Sequence, residues 1–134
     1  MPRLLSALAL VVGVALFAVP SPAQDPKTLT IAEIMAEAHK PTGLFFDLQR
    51  GLKGAPDWAE SADSAKRLTV LAEALAGQKP GKGDDASWKA LTAQHLTQTK
   101  ALQAAVLKKD KAAALAAAGK LSPALCNTCH KAHR

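Results

Sequence analysis

Trp58, Ala62, Ala65, Leu68, Ala72 and Leu75 recur at spacings of three and four, so this segment gathers its apolar residues on one face only as a helix. Asp57 and Glu60 offer a capping box at its start, and Gly77 stands where a C-terminal stop belongs. Three more helical stretches can be placed. A first helix opens at Thr28 or Thr30 and carries Ile31, Ile34, Met35 and Ala38 on one face; Pro41-Thr42-Gly43 disturbs it, and residues 44–52 continue it beyond a kink. Residues 78–84 hold Pro80, Gly81 and Gly83 and read as a loop. Asp85 then caps a helix with Trp88, Leu91, His95, Leu102 and Val106 turned inward, ending near the Lys108-Lys109 pair, whose charge suits the negative helix end. Asp110 caps a last helix through Ala114, Leu115, Ala118 and Leu121, which Ser122-Pro123 bends or restarts.

Composition agrees with an all-α chain: alanine dominates, leucine, lysine and glutamine are frequent, and tyrosine is absent. Four amphipathic helices with short connections pack most simply as an antiparallel up-down-up-down four-helix bundle. The alanines of the last helix bury little apolar area and leave space between helices. Either a planar group fills that space, or alanine merely raises helix propensity and allows close approach.

Met1-Pro2-Arg3 followed by the uncharged apolar run Leu4 to Val19 reads as a secretory signal peptide, with Ser21 and Ala23 as the small residues of a cleavage site. The run is short of the roughly 20 residues a spanning helix needs, which favours cleavage over an uncleaved anchor. The expected organisation is therefore a leader over residues 1–23 and one domain over residues 24–134, exported to a periplasm, without stable membrane insertion after cleavage. Of 17 basic residues only Arg3 lies in the leader, against 11 acidic ones, so the domain keeps a mild positive surplus. The lysines are scattered and no basic stripe carries interleaved aromatics, which argues against nucleic acid. The surplus suits an acidic partner protein or serves solubility alone.

The two cysteines of the chain lie in Cys126-Asn127-Thr128-Cys129-His130. Cys-x-x-Cys-His is the attachment sequence of a c-type haem. The cysteine spacing lets both sulfurs reach the two vinyl groups of one porphyrin edge, and the adjacent imidazole then falls under the iron as proximal ligand. Two other readings use the same residues. A redox-active dithiol of the thioredoxin sort usually follows a strand, not the end of a helical bundle. A zinc site of Cys126, Cys129, His130 and His133 would crowd four ligands into eight residues and strain a tetrahedral shell.

A leader, four helices and Cys-x-x-Cys-His a few residues from the end resemble the class II c-type cytochromes, cytochrome c′ and its low-spin methionine-ligated relatives. The resemblance is specific only from Cys126 to Arg134. It implies one haem c, covalent through Cys126 and Cys129, with His130 on the iron and Arg134 near the proximal face. His133 departs from the aromatic residue common at its place. The family's first helix faces the distal side, and there Met35 is the expected sixth ligand, with His39, one turn on along the same face, as the alternative. His95 is expected as a satisfied core histidine, His39 otherwise as a solvent-side residue, and Trp58 and Trp88 as core or haem-packing aromatics.

With Met35 on the iron the chain is an electron carrier between exported redox proteins; with an open sixth position it binds nitric oxide or carbon monoxide. Nothing in the sequence suggests catalysis: it has no nucleophile-base arrangement, no paired carboxylates in a cleft-like context and no phosphate loop. The resemblance also allows a homodimer through the first two helices.

Overall fold

The computed structural model describes residues 24–121 and 123–134, so the expected leader lies outside the described residues. A single 3-10 turn, Pro26–Thr28, precedes six helices: α1 Ile31–His39, α2 Leu44–Lys53, α3 Trp58–Ala76, α4 Asp85–Leu107, α5 Lys111–Lys120 and α6 Pro123–His133. No strand occurs among the described residues. None of the described helices is long and apolar enough to cross a membrane.

The boundaries follow local chemistry. Thr30 and Glu33 form a reciprocal capping box, the Thr30 N–H donating to Glu33 Oε2 at 2.8 Å and the Glu33 N–H to Thr30 Oγ1 at 3.3 Å. Asp57 accepts from the Ala59 and Glu60 amides, one half of the expected box. The cap of α4 is Asp84, one residue before the expected Asp85, because the Asp84 carboxylate reaches the Ser87 amide at 2.8 Å. Asp110 caps α5 as expected, accepting from the Ala113 amide at 2.9 Å. Gly77 ends α3 with right-handed backbone, so it is a stop without being a left-handed one.

The expected kink between α1 and α2 is a full break. Lys40 precedes a proline and is extended, which takes it out of the helix. Gly43 then donates to the Lys40 carbonyl at 2.7 Å and lies buried against α1, where a Cβ would meet the Glu37 carbonyl oxygen at 2.8 Å.

Four helices pack against one another around a common core: α3 along α4, α4 along α5, and α2 against both α3 and α5. Leu52, Leu71, Leu102 and Val106 are essentially sealed from solvent at the centre. Three threonines are also buried, Thr69, Thr92 and Thr99. Each returns its hydroxyl to the carbonyl four residues back, at 3.1, 2.8 and 2.8 Å, so none is left without a partner. The buried alanines of α5, Ala114, Ala117 and Ala118, bring α4 and α5 close. The two remaining helices are attached to this group: α1 packs on α2 and α3, and α6 on α4. Arg67 of α3 holds α1 in place by gripping the Glu37 carboxylate with two nitrogens, at 2.6 and 3.0 Å.

The α4–α5 turn is closed by a left-handed residue. Lys109 has φ +56°, its amide donates to the Val106 carbonyl at 2.9 Å, and the Asp110 amide donates to the Ala105 carbonyl at 3.0 Å. A lysine in this conformation sets its Cβ against the following carbonyl, a strain glycine does not feel. Lys109→Gly is expected to raise stability by about 0.5–1 kcal/mol, read as a higher urea midpoint at unchanged m-value.

Candidate functional site

A cavity of about 670 Å³ opens between α1, α4 and α6, within the size range of small-molecule and cofactor pockets. Three walls meet there. Helix α1 contributes Ile31, Met35 and His39, successive positions four apart on one face. Helix α4 contributes Trp88, Leu91 and His95. Helix α6 contributes Leu125, both cysteines, His130 and His133, and Arg134 closes the rim. The residues expected to hold a cofactor from the C-terminal motif therefore line the same cavity as both candidate distal ligands.

Cys126 and Cys129 are free thiols, each half-buried. Burial pushes the Cys126 thiol up, and burial together with the neighbouring Cys126 pushes up Cys129. A redox-active pair needs the opposite, a stabilised thiolate, so these sulfurs are poor nucleophiles of the thioredoxin sort. The zinc quartet is not assembled either. Among the described residues no three His, Cys, Asp or Glu side chains converge as a metal site. His133, its fourth member, is already bound on both sides. Its Nδ1–H donates to the Lys82 carbonyl at 3.0 Å, so its Nε2 accepts from the Ser87 hydroxyl at 3.2 Å. The ring also packs edge-on to Trp88, centroids 5.3 Å apart.

The side chain ties the end of α6 to the loop before α4 and to the first turn of α4 through two hydrogen bonds and the edge packing of its ring. Gly83 makes the approach possible: its φ is +90°, and a Cβ there would strike the Ala132 carbonyl oxygen and the His133 ring. Lys82 adds a hydrogen bond from its Nζ to the Arg134 carbonyl at 3.3 Å.

Trp88 is both core and wall. It is buried, donates from Nε1 to the Gln78 carbonyl at 2.7 Å and faces the cavity. Trp58 is half-buried against the hydrophobic core and away from the cavity.

The two remaining histidines differ from expectation. His39 is not on the solvent side: it is largely enclosed, with Phe45 at 5.6 Å and His95 at 5.0 Å between ring centroids. His95 is not a satisfied core histidine. Its Nε2 lies 3.0 Å from His39 Nε2, so one ring donates to the other, while its Nδ1 is buried with no hydrogen-bond partner among the described residues. Burial, then the charges of His95 and His130, push His39 down to about 4; burial pushes His95 down to about 4. Both are neutral imidazoles at pH 7. The α4 stripe reveals that His95 faces inward, but its partner lies 56 positions away in the chain and on another helix.

The donor set fits a c-type haem: two protonated thiols and an imidazole on one helix, an apolar and aromatic wall, and further donors opposite. Compared with protein-family profiles, with curated proteins and with solved structures, the chain matches none.

Two outcomes follow. Gly83→Ala is expected to cost about 2 kcal/mol or more and to loosen α6, seen as faster amide exchange across residues 123–133. In a chain with Cys126 and Cys129 replaced by serine, the depressed histidine values mean the unfolded state binds more protons between about pH 6.5 and 4. Stability is complete above pH 6.5 and falls as pH drops toward 4, by up to about 3 kcal/mol per histidine. Urea melts across that window should flatten in the His39→Gln, His95→Gln variant.

Proposed function

We propose that this chain is an exported monohaem c-type cytochrome, related in design to the class II cytochromes, that carries electrons between proteins rather than catalysing a reaction. The observation that supports this reading best is the convergence of Cys126, Cys129, His130 and the α1 donors on one cavity of cofactor size. When bound, the haem supplies a one-electron couple on its iron. Cys126 and Cys129 would hold it through two thioethers, each S–H adding its sulfur to one carbon of a vinyl group and its proton to the other. His130, on the exposed side of α6 and lining the cavity, would provide an imidazole to the iron from the same helix as the two cysteines. Leu91, Leu125 and Trp88 line the cavity with an apolar surface that would exclude water from a bound macrocycle.

The first helix presents two side chains able to bind iron, Met35 and His39, to the cavity. A sixth ligand from the protein favours a carrier over a receptor for nitric oxide or carbon monoxide, because both oxidation states then keep the same coordination. The charged residues lining the cavity are Lys40 and Arg134, both exposed and both cationic. A redox partner with an acidic face suits that rim. Export to a periplasm completes the proposal, since the short apolar leader and the attachment motif require the same compartment.

The test is production with an active cytochrome c maturation system. The expected product carries one haem by intact mass, keeps it through denaturing gel electrophoresis, and is reversibly reduced with a low-spin spectrum. Cys126→Ala with Cys129→Ala should lose the covalent attachment. A wild-type chain free of haem, beside a control cytochrome that is loaded, would rule the proposal out.

A further inference from the structure

We infer that His39, held by His95, is the sixth iron ligand, and that Met35 packs beside it. The inference rests on the haem reading above and goes further by choosing the distal donor and naming the residue that positions it.

A ligating histidine needs one ring nitrogen free and the other fixed, since a bond to a second group sets both tautomer and ring orientation. His39 meets both conditions. Its Nε2 is paired with His95 Nε2 at 3.0 Å, and its Nδ1 makes no hydrogen bond among the described residues and is not fully buried, in a side chain that lines the cavity. Phe45 also packs against the ring, with centroids 5.6 Å apart. His39 and His130 line the same cavity from different helices, α1 and α6. Met35 has no comparable support: it is half-buried against the core, with three rotatable bonds and no hydrogen bond to its sulfur among the described residues.

His95 has no other account. A buried ring nitrogen without a partner costs stability, and a histidine on a core stripe gives nothing that leucine would not give more cheaply. As the anchor of a ligating imidazole it has a reason to be there. The backbone holds it firmly, for the Thr99 hydroxyl donates to the His95 carbonyl at 2.8 Å. The α1 helix bearing His39 is held by Arg67 and Glu37, so both ends of the His39–His95 contact stand on fixed supports.

The experiment uses the full chain loaded with haem by a maturation system, studied by absorption, electron paramagnetic resonance, potentiometry and carbon monoxide titration. Wild type should be low-spin with two imidazole ligands, show no sulfur-to-iron charge-transfer band, and have a potential below that of a thioether-ligated site. Met35→Leu should leave the spectrum unchanged. His39→Ala should turn the iron high-spin and open it to carbon monoxide. His95→Leu should stay low-spin but let carbon monoxide displace the sixth ligand about 10- to 100-fold more readily, with a shifted potential, and His95→Gln should recover part of that loss. A sulfur-to-iron band abolished by Met35→Leu, or a high-spin wild type, overturns the assignment of His39; His95→Leu identical to wild type in the titration overturns the role of His95. Wild type and Met35→Leu decide between the two donors even where His39→Ala does not accumulate. Lack of covalent haem in wild type is a different failure, which removes the haem reading itself.

Discussion

The contact of His133 with the Lys82 carbonyl and the Ser87 hydroxyl governs where the C-terminal helix lies, and the site depends on that helix. Helix α6 packs on α4 and has no extensive contact with the other helices, so a second tie at its far end decides its angle. The tie is possible because Gly83 alone accepts both the left-handed backbone and the close approach of residues 132 and 133. With α6 set in this way, Cys126, Cys129 and His130 all face the space between α1 and α4.

The opposite wall obeys a different constraint. Two neutral imidazoles enclosed together must share one proton between facing nitrogens, which makes the His39–His95 pair a directional link between α1 and α4. Their low affinity for protons keeps the pair uncharged at neutral pH, so the cavity stays available to a large apolar group on that side. The cavity itself exists because α1 and α6 sit at the edges of the four-helix core instead of filling its centre, where Leu52, Leu71 and Leu102 already close the packing.

Much of the fold was legible along the chain. The stripe on α3 reappears with Ala65, Leu68, Ala72 and Leu75 buried, and the caps at Thr30, Asp57 and Asp110 form as their side chains require. These are readable because helix periodicity and capping involve residues within four positions of one another. The α4 cap moved by one residue because two adjacent aspartates compete and only geometry separates them, and the Pro41–Gly43 kink became a break because Lys40, before a proline, is extended and Gly43 turns back onto its carbonyl.

By itself the sequence determined the helical class, most helix ends and the Cys126-x-x-Cys129-His130 motif, since each is a local pattern in which neighbouring side chains and backbone groups meet within a few residues. Only the tertiary structure decided that His133 is a tether, that His39 is enclosed, and that His95 stands 3.0 Å from it. Those facts depend on which faces of α1, α4 and α6 turn toward one another. That choice is made by long-range packing and by a handful of side-chain bonds between residues tens of positions apart, and no local pattern records it.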